Sequence, residues 1–209
     1  MKMSLKSAIA LIAVAAPSFA FATTWELDSS HSSAQFGVKH MMVSTVRGAF
    51  SNVKGTINID DKDITKSTIE TTIDATTINT NEPKRDEHLK SPDFFDTAKF
   101  PTITFKSTKV AKAGKDKLKV SGDLTMHGVT KPVVLDVDGP TAESKDPWGN
   151  VRRGATATTK IKRSDFGLTW NKALETGGFA VGDEVTITLD LEATKKADAA
   201  AAPAAKDTK

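Results

Sequence analysis

Eight antiparallel strands closed into an all-β barrel, with one short helical segment, is the architecture that three features of this sequence predict. Apolar and polar residues alternate along eight separate runs, the remaining strand positions are rich in Thr and Val, and only one stretch reads as helix. Alternation buries one face of a sheet, and that face must be covered. One short helix cannot cover eight strands. Closing the sheet on itself does so and removes its exposed edges as well.

The runs follow in order. Ala34, Phe36, Val38 and His40 alternate first, then Val53, Gly55, Ile57 and Ile59, then Ile69, Thr71, Ile73, Ala75 and Thr77. The helical stretch is NEPKRDEHLKSPDFFD, with Asn81 as cap, Pro83 near the first turn and Ser91-Pro92 opening a second short turn. Ile103 and Phe105 mark the fourth strand. The fifth and sixth form a hairpin, KLKVSGDLTMHGVTKPVVLDV, with apolar residues at Leu118, Val120, Leu124 and Met126 and again at Val133, Leu135 and Val137. His127 stands at the joint beside Gly128, whose backbone is permissive, and Pro132 suits the first residue of a strand. Turning the chain asks nothing of the imidazole beyond a hydrogen bond or solvent. Ala155, Ala157, Thr159 and Ile161 make the seventh strand, and Val185, Ile187, Leu189 and Leu191 the eighth. A barrel of eight strands has room for packed side chains or for one small ligand.

The two ends read differently from the body. MKMSLK, the apolar run from Ser7 to Ala16 and Ala20-Phe21-Ala22 make a charged region, a short apolar region and an A-x-A site. Residues 1–22 are thus expected to be a secretory signal cut after Ala22, too short to remain as a membrane span. The chain has no cysteine, which excludes thiol chemistry, a disulfide framework and lipid anchoring through a cysteine. Residues 195–209 are Ala-, Lys- and Pro-rich with no large apolar side chain, and are expected to be a disordered tail. The domain proper is 23–194.

The net charge of +3 belongs to the ends. Lys2 and Lys6 fall in the leader, and the tail holds four lysines against two aspartates, so the body is close to neutral. No basic face for nucleic acid is written in it. The histidines, His31, His40, His88 and His127, form no HxH, HxxxH or HExxH pair, so no local metal site is expected. No G-x-S-x-G motif occurs, Gly177-Gly178 lacks the strand and helix of a phosphate loop, and Asp60-Asp61 suits a solvated turn. Catalysis has no visible home. The apolar inventory is richer: ten phenylalanines and three tryptophans without a tyrosine, with Phe94-Phe95 on a short turn and Phe166, Trp170 and Phe179 between the last two strands. Ordinary core and the lining of a lidded cavity both fit that distribution.

Several segments in one order resemble the YceI-like, polyisoprenoid-binding family of bacterial secreted proteins. They are WELDSSHSSAQFGVKHM, VRGAFSNVKGTI, RDEHLKSPDFFDTAKFPTITFKST, GDLTMHGVTKPVVL, DPWGNVRRGA, KRSDFGLTWN and VGDEVTITLDLE. The resemblance implies a lipocalin-like barrel with a long apolar tunnel, holding an isoprenoid quinone, a polyprenyl phosphate or a similar amphiphile as ligand, often in a periplasmic homodimer. No other cofactor is implied. The ligand tail would lie against Phe36, Val38, Phe50, Phe105, Leu124 and Met126, with Phe94, Phe95, Phe166, Trp170 and Phe179 grouped around it and His40 near the mouth. A polar head could hydrogen-bond His40, Arg47, Arg85 or Arg163, for each of which a surface salt bridge is the competing role. Two positions depart from the family pattern: Ala155 replaces an aromatic residue often found after the glycine of RRG, and Phe100 stands where Tyr-Pro is common. An enzyme acting on a lipid in the same cavity, and a stress-induced barrel that binds a protein partner, are the alternative functions.

Overall fold

A computed structural model describes residues 22–175 and 177–196. Its clearest local feature is the hairpin of β7 (Lys117–Met126) and β8 (Val129–Asp138). Met126 pairs with Val129, leaving His127 and Gly128 as a two-residue connection with φ of 52° and 74°. Two successive left-handed residues give the turn a twist that matches the strands it joins. Histidine is among the few side chains enriched in that conformation. Its Nδ1 lies 3.2 Å from the Phe166 carbonyl, and its ring packs edge-on against Phe100. His127 is a joint, as its position beside Gly128 suggests.

The barrel closes through β11 (Val181–Lys195). One edge of β11 carries β10 (Val151–Lys162); the other carries β1 (Ala22–Leu27) beside Ala193–Lys195 and β2 (Ser33–His40) beside Val181–Asp190. β1 and β2 are therefore two pieces of one position in the wall. The next position is split as well, since β3 (Ser44–Phe50) pairs with β2 and β4 (Lys54–Asp60) with β1. From β4 the ladder continues through β5 (Thr68–Asp74), β6 (Thr102–Gly114), β7, β8 and β10 back to β11. The two-residue β9 (Ser144–Lys145) only flanks β10. Ten of these eleven segments thus build a closed antiparallel barrel of eight wall positions.

The breaks have local causes. Asp28 accepts the Ser30 N–H at 3.0 Å, and this turn separates β1 from β2. Asn52, at φ 55°, separates β3 from β4 and drives Val53 inward, where it is buried. Val53 therefore belongs to the break and not to the strand where its alternation placed it. Thr77 likewise leaves β5: Ala75–Thr77 form a single tight turn capped by the Asp74 carboxylate. Helix α1 (Pro83–Lys90) starts one residue later than expected. Glu82 caps it by accepting the Lys84 N–H at 3.2 Å, while Asn81 turns the chain at φ 61°.

The wall is not paired throughout. β8 pairs with β7 along its whole length but with β10 only at Asp136–Asp138. Above that point the two strands part, leaving a cleft bordered by Pro132, Val133, Thr159, Ile161 and Phe166. The barrel proper runs slightly past its expected end, since Lys196 donates its N–H to the Thr24 carbonyl at 2.9 Å. Except for Ala22, the expected signal lies outside the described residues, as does the tail after Lys196. No helix among the described residues is long and apolar enough to cross a membrane.

Candidate functional site

Inward side chains of the wall enclose two chambers of about 180 and about 100 Å³. They meet at a waist of Ile69, Phe105, Leu135 and Leu191, which border both. Gly122 makes room for the Phe105 ring, because a Cβ at that glycine would stand 2.4 Å from the ring's Cζ. From Ile103 in one chamber to Val110 in the other, the space extends roughly 18 Å along the barrel axis, at about 3.3 Å per residue and about 40° of strand tilt. The lining is almost wholly aliphatic and aromatic. Its titratable members, among the described residues, are Arg163 and Arg153.

The larger chamber lies under α1 and the turn after it. Leu89, Phe94 and Phe95 reach down from that segment to meet Phe36, Val38 and Phe50. Two aromatic groups hold the cover in place. Phe50 packs between Phe36 and Phe95, with ring centroids 5.6 and 5.4 Å away, and His88 stands edge-on to both Phe94 and Trp170 at 5.1 and 4.9 Å. His88 is oriented in turn by the Asp93 carboxylate, 2.9 Å from its Nε2.

Eight of the twelve residues expected around a ligand border this chamber: Phe36, Val38, Phe50, Phe94, Phe95, Phe105, Leu124 and Met126. The other four do not. Trp170 packs against Phe94 and His88 without bordering the chamber, and Phe166 is buried behind the cleft between β8 and β10. Phe179 follows two glycines and is 62% exposed. His40 shares the parity of Phe36 and Val38 but sits at the last position of β2, past the rim, and is exposed.

The expected polar mouth is also placed differently. Arg47 is exposed, and Arg85 hydrogen-bonds the Thr80 hydroxyl and carbonyl at 2.8 and 3.0 Å. Arg163 is buried but donates to the carbonyls of Gly182, Leu168, Trp170 and Val181. Burial pulls its pKa down, and those four bonds tie the segment after β10 to the barrel. Of the two departures from the family pattern, Ala155 borders the smaller chamber, where its short side chain leaves space. Phe100 lies against His127 and borders neither.

The smaller chamber holds residues that alternation alone does not single out. Trp25, fully buried, and Arg153 border it together with Leu27, Ile57, Val110 and Val120. On the outer surface nearby, Arg152 donates to Asp28, Asp146 and Glu192. Ser30 first, then Arg152 and His31, hold the Asp28 carboxyl far below its ordinary range, and Arg152 does the same for Asp146. Asp28 raises the pKa of His31. Ligand atoms of Asp28, His31 and Glu192 lie within 4.8 Å of one another, yet the Arg152 guanidinium already supplies the positive charge a metal would bring.

Fold and cavity together define a closed antiparallel barrel around two adjoining apolar chambers. The chain belongs to the YceI-like family, whose domain matches residues 25–193. A UPF0312 protein of Vibrio parahaemolyticus is 39% identical over 170 residues, covering 80% of this chain and 89% of its own. The crystal structure of Burkholderia cenocepacia BcnA superposes with a TM-score of 0.68 at 25% identity, over 79% of this chain and 98% of that one. A polyisoprenoid-binding domain from Saccharophagus degradans, implicated in plant cell wall breakdown, shares the fold with a TM-score of 0.59 at 17% identity, over 82% and 98%.

Proposed function

We propose that this protein binds a polyisoprenoid lipid, such as an isoprenoid quinone or polyprenyl phosphate, or a similar long-chain amphiphile, and carries or stores it in the periplasm. The observation that carries the reading is the preformed apolar cavity. At about 24 cal/mol per Å³ of unfilled space, the larger chamber alone represents roughly 4 kcal/mol of packing that the fold goes without. That is a sizeable share of the stability of an ordinary domain. A ligand returns it, since each methylene withdrawn from water contributes about 0.8 kcal/mol. The polyisoprenoid-binding character of the Saccharophagus domain supports the choice of ligand, and the leader-like N-terminus supports the compartment. An enzyme acting on the same lipid would need a base or nucleophile facing the tunnel, and the two arginines at its wall are neither.

Organic extraction of protein purified from its native host, followed by mass spectrometry, tests the reading: a stoichiometric long-chain lipid is expected. Leu124→Gln complements it. Leu124 borders the larger chamber, so an amide there leaves polar groups unpaired against a ligand chain at a cost of about 1–3 kcal/mol. Lipid per protein should fall while the thermal midpoint of the ligand-free form moves little. A large drop in that midpoint, in protein that never held lipid, would mean a barrel filled by its own side chains.

A further inference from the structure

Two residues that border the smaller chamber, Trp25 and Arg153, each carry a buried nitrogen donor with no acceptor among the described residues. Trp25 is 1% exposed, and neither its indole Nε1 nor the Nε of Arg153 has a hydrogen-bond partner among the described residues. A buried donor left unpaired is costly, and most such groups in folded proteins find a partner. These two are brought together by register. Trp25 of β1 pairs with Lys195 of β11, while Leu27 and Arg153 both pair with Ala193 from opposite edges of β11. All these positions face inward, and the Arg153 guanidinium comes to lie 5.1 Å from the Trp25 ring centroid.

Lys195 reaches over the same ring, with its Nζ 5.7 Å from the centroid. Arg153 and Lys195 share one acidic partner, Glu143, at 3.4 and 3.3 Å. The neighbouring carboxylates of Asp28, Asp146 and Glu192 are taken up by Arg152, so Glu143 is the acidic group within salt-bridge reach of these two cations among the described residues.

Resting on the reading of the tunnel as a lipid site, we infer that the end of the smaller chamber at Trp25 and Arg153 binds an anionic oxygen, a carboxylate or phosphate terminating the apolar chain. The chain then runs past the Phe105 waist toward the aromatic cover under α1. This places the polar end of the ligand opposite His40, Arg47, Arg85 and Arg163. The indole supplies a neutral N–H and the guanidinium a charged one, a combination that favours an acceptor carrying negative charge. Ala155, beside Arg153 on the same strand, leaves space for the group.

The test uses full-chain protein stripped of lipid, titrated with palmitate, hexadecyl phosphate and hexadecanol below their micellar concentrations and followed by calorimetry. The three share one chain and differ at the end. Either anion is expected to bind at least about tenfold tighter than the alcohol, and the tighter of the two identifies a carboxylate or a phosphate as the preferred group. Arg153→Met, which keeps much of the apolar stem, should bring the ratio of anion to alcohol affinity close to one. Trp25→Phe should reduce the preference by a smaller factor. Alcohol and anions binding equally well to the unaltered protein would overturn the headgroup site and leave the lipid reading standing. Equal loss of all three ligands in Arg153→Met would make Arg153 simply part of the wall and overturn it too. Failure of every chain to bind would sink both.

Discussion

Replacing Ala155 by phenylalanine puts a ring into the smaller chamber. Ala155 lies on β10 opposite Leu191, one of the waist residues, so the ring shortens the tunnel from its far end. Filling the whole of the chamber, about 100 Å³, would recover at most about 2 kcal/mol at roughly 24 cal/mol per Å³. For a domain of this length each kcal/mol moves the thermal midpoint by about 2–4 °C, so the ligand-free variant should melt higher by up to about 4–8 °C. Circular dichroism on delipidated protein measures the shift. Mass spectrometry of lipid extracted from the same preparation before stripping should show shorter chains than in the unaltered protein. Overpacking costs about 1–3 kcal/mol where no space exists. A lower midpoint with an unchanged chain-length distribution would therefore refute the assignment of that space to the tunnel.

Two further outcomes follow from the turn and from the charged cluster. His127→Gly keeps the positive φ and should cost about 1 kcal/mol for the lost bond to the Phe166 carbonyl, whereas His127→Val should cost about 1–2 kcal/mol more; calorimetric melting reads both, and a loss of bound lipid without a change in midpoint would give the imidazole a role in binding. Asp28 and Asp146 are lowered in the folded state, so the stability they contribute is complete above the ordinary carboxylate range and is lost as pH falls from that range through the lower folded values. His31 is raised, so its contribution is present below about pH 6.5 and fades as pH rises through the folded value. The midpoint difference between the unaltered protein and Arg152→Met should accordingly shrink between about pH 4 and pH 2; a difference constant across that range would show that the cluster does not titrate with folding.

Strand alternation exposed one half of each broken wall position, which is why the count of eight came out correctly from incomplete strands. β2 and β4 carry long alternating runs. β1 offers only Trp25 and Leu27 as buried apolar residues, and β3 only Phe50, too few to stand out. The larger chamber was similarly legible, because Phe36, Phe105, Leu124 and Met126 announce their face by parity. Parity does not say where the barrel ends, so His40 fell past the rim and Phe179 outside it. Trp25 and Arg153 meet only because β1 and β10 flank the same strand, and no local spacing encodes that meeting. Their unpaired nitrogens become visible only when every neighbour is in place.

The parting of β8 from β10 leaves main-chain groups on two strand edges facing water, and such edges invite another chain to add to the sheet. The side chains around them oppose that. Pro132 contributes no amide hydrogen, and Lys131, Lys162, Asp165 and the Lys160–Glu184 ion pair put charge of both signs along the margins of the cleft. A second copy adding to either edge would have to strip water from these charges. At this place the molecule discourages its own polymerisation, and a neutral, proline-free version of the cleft would be the variant to watch for fibrils.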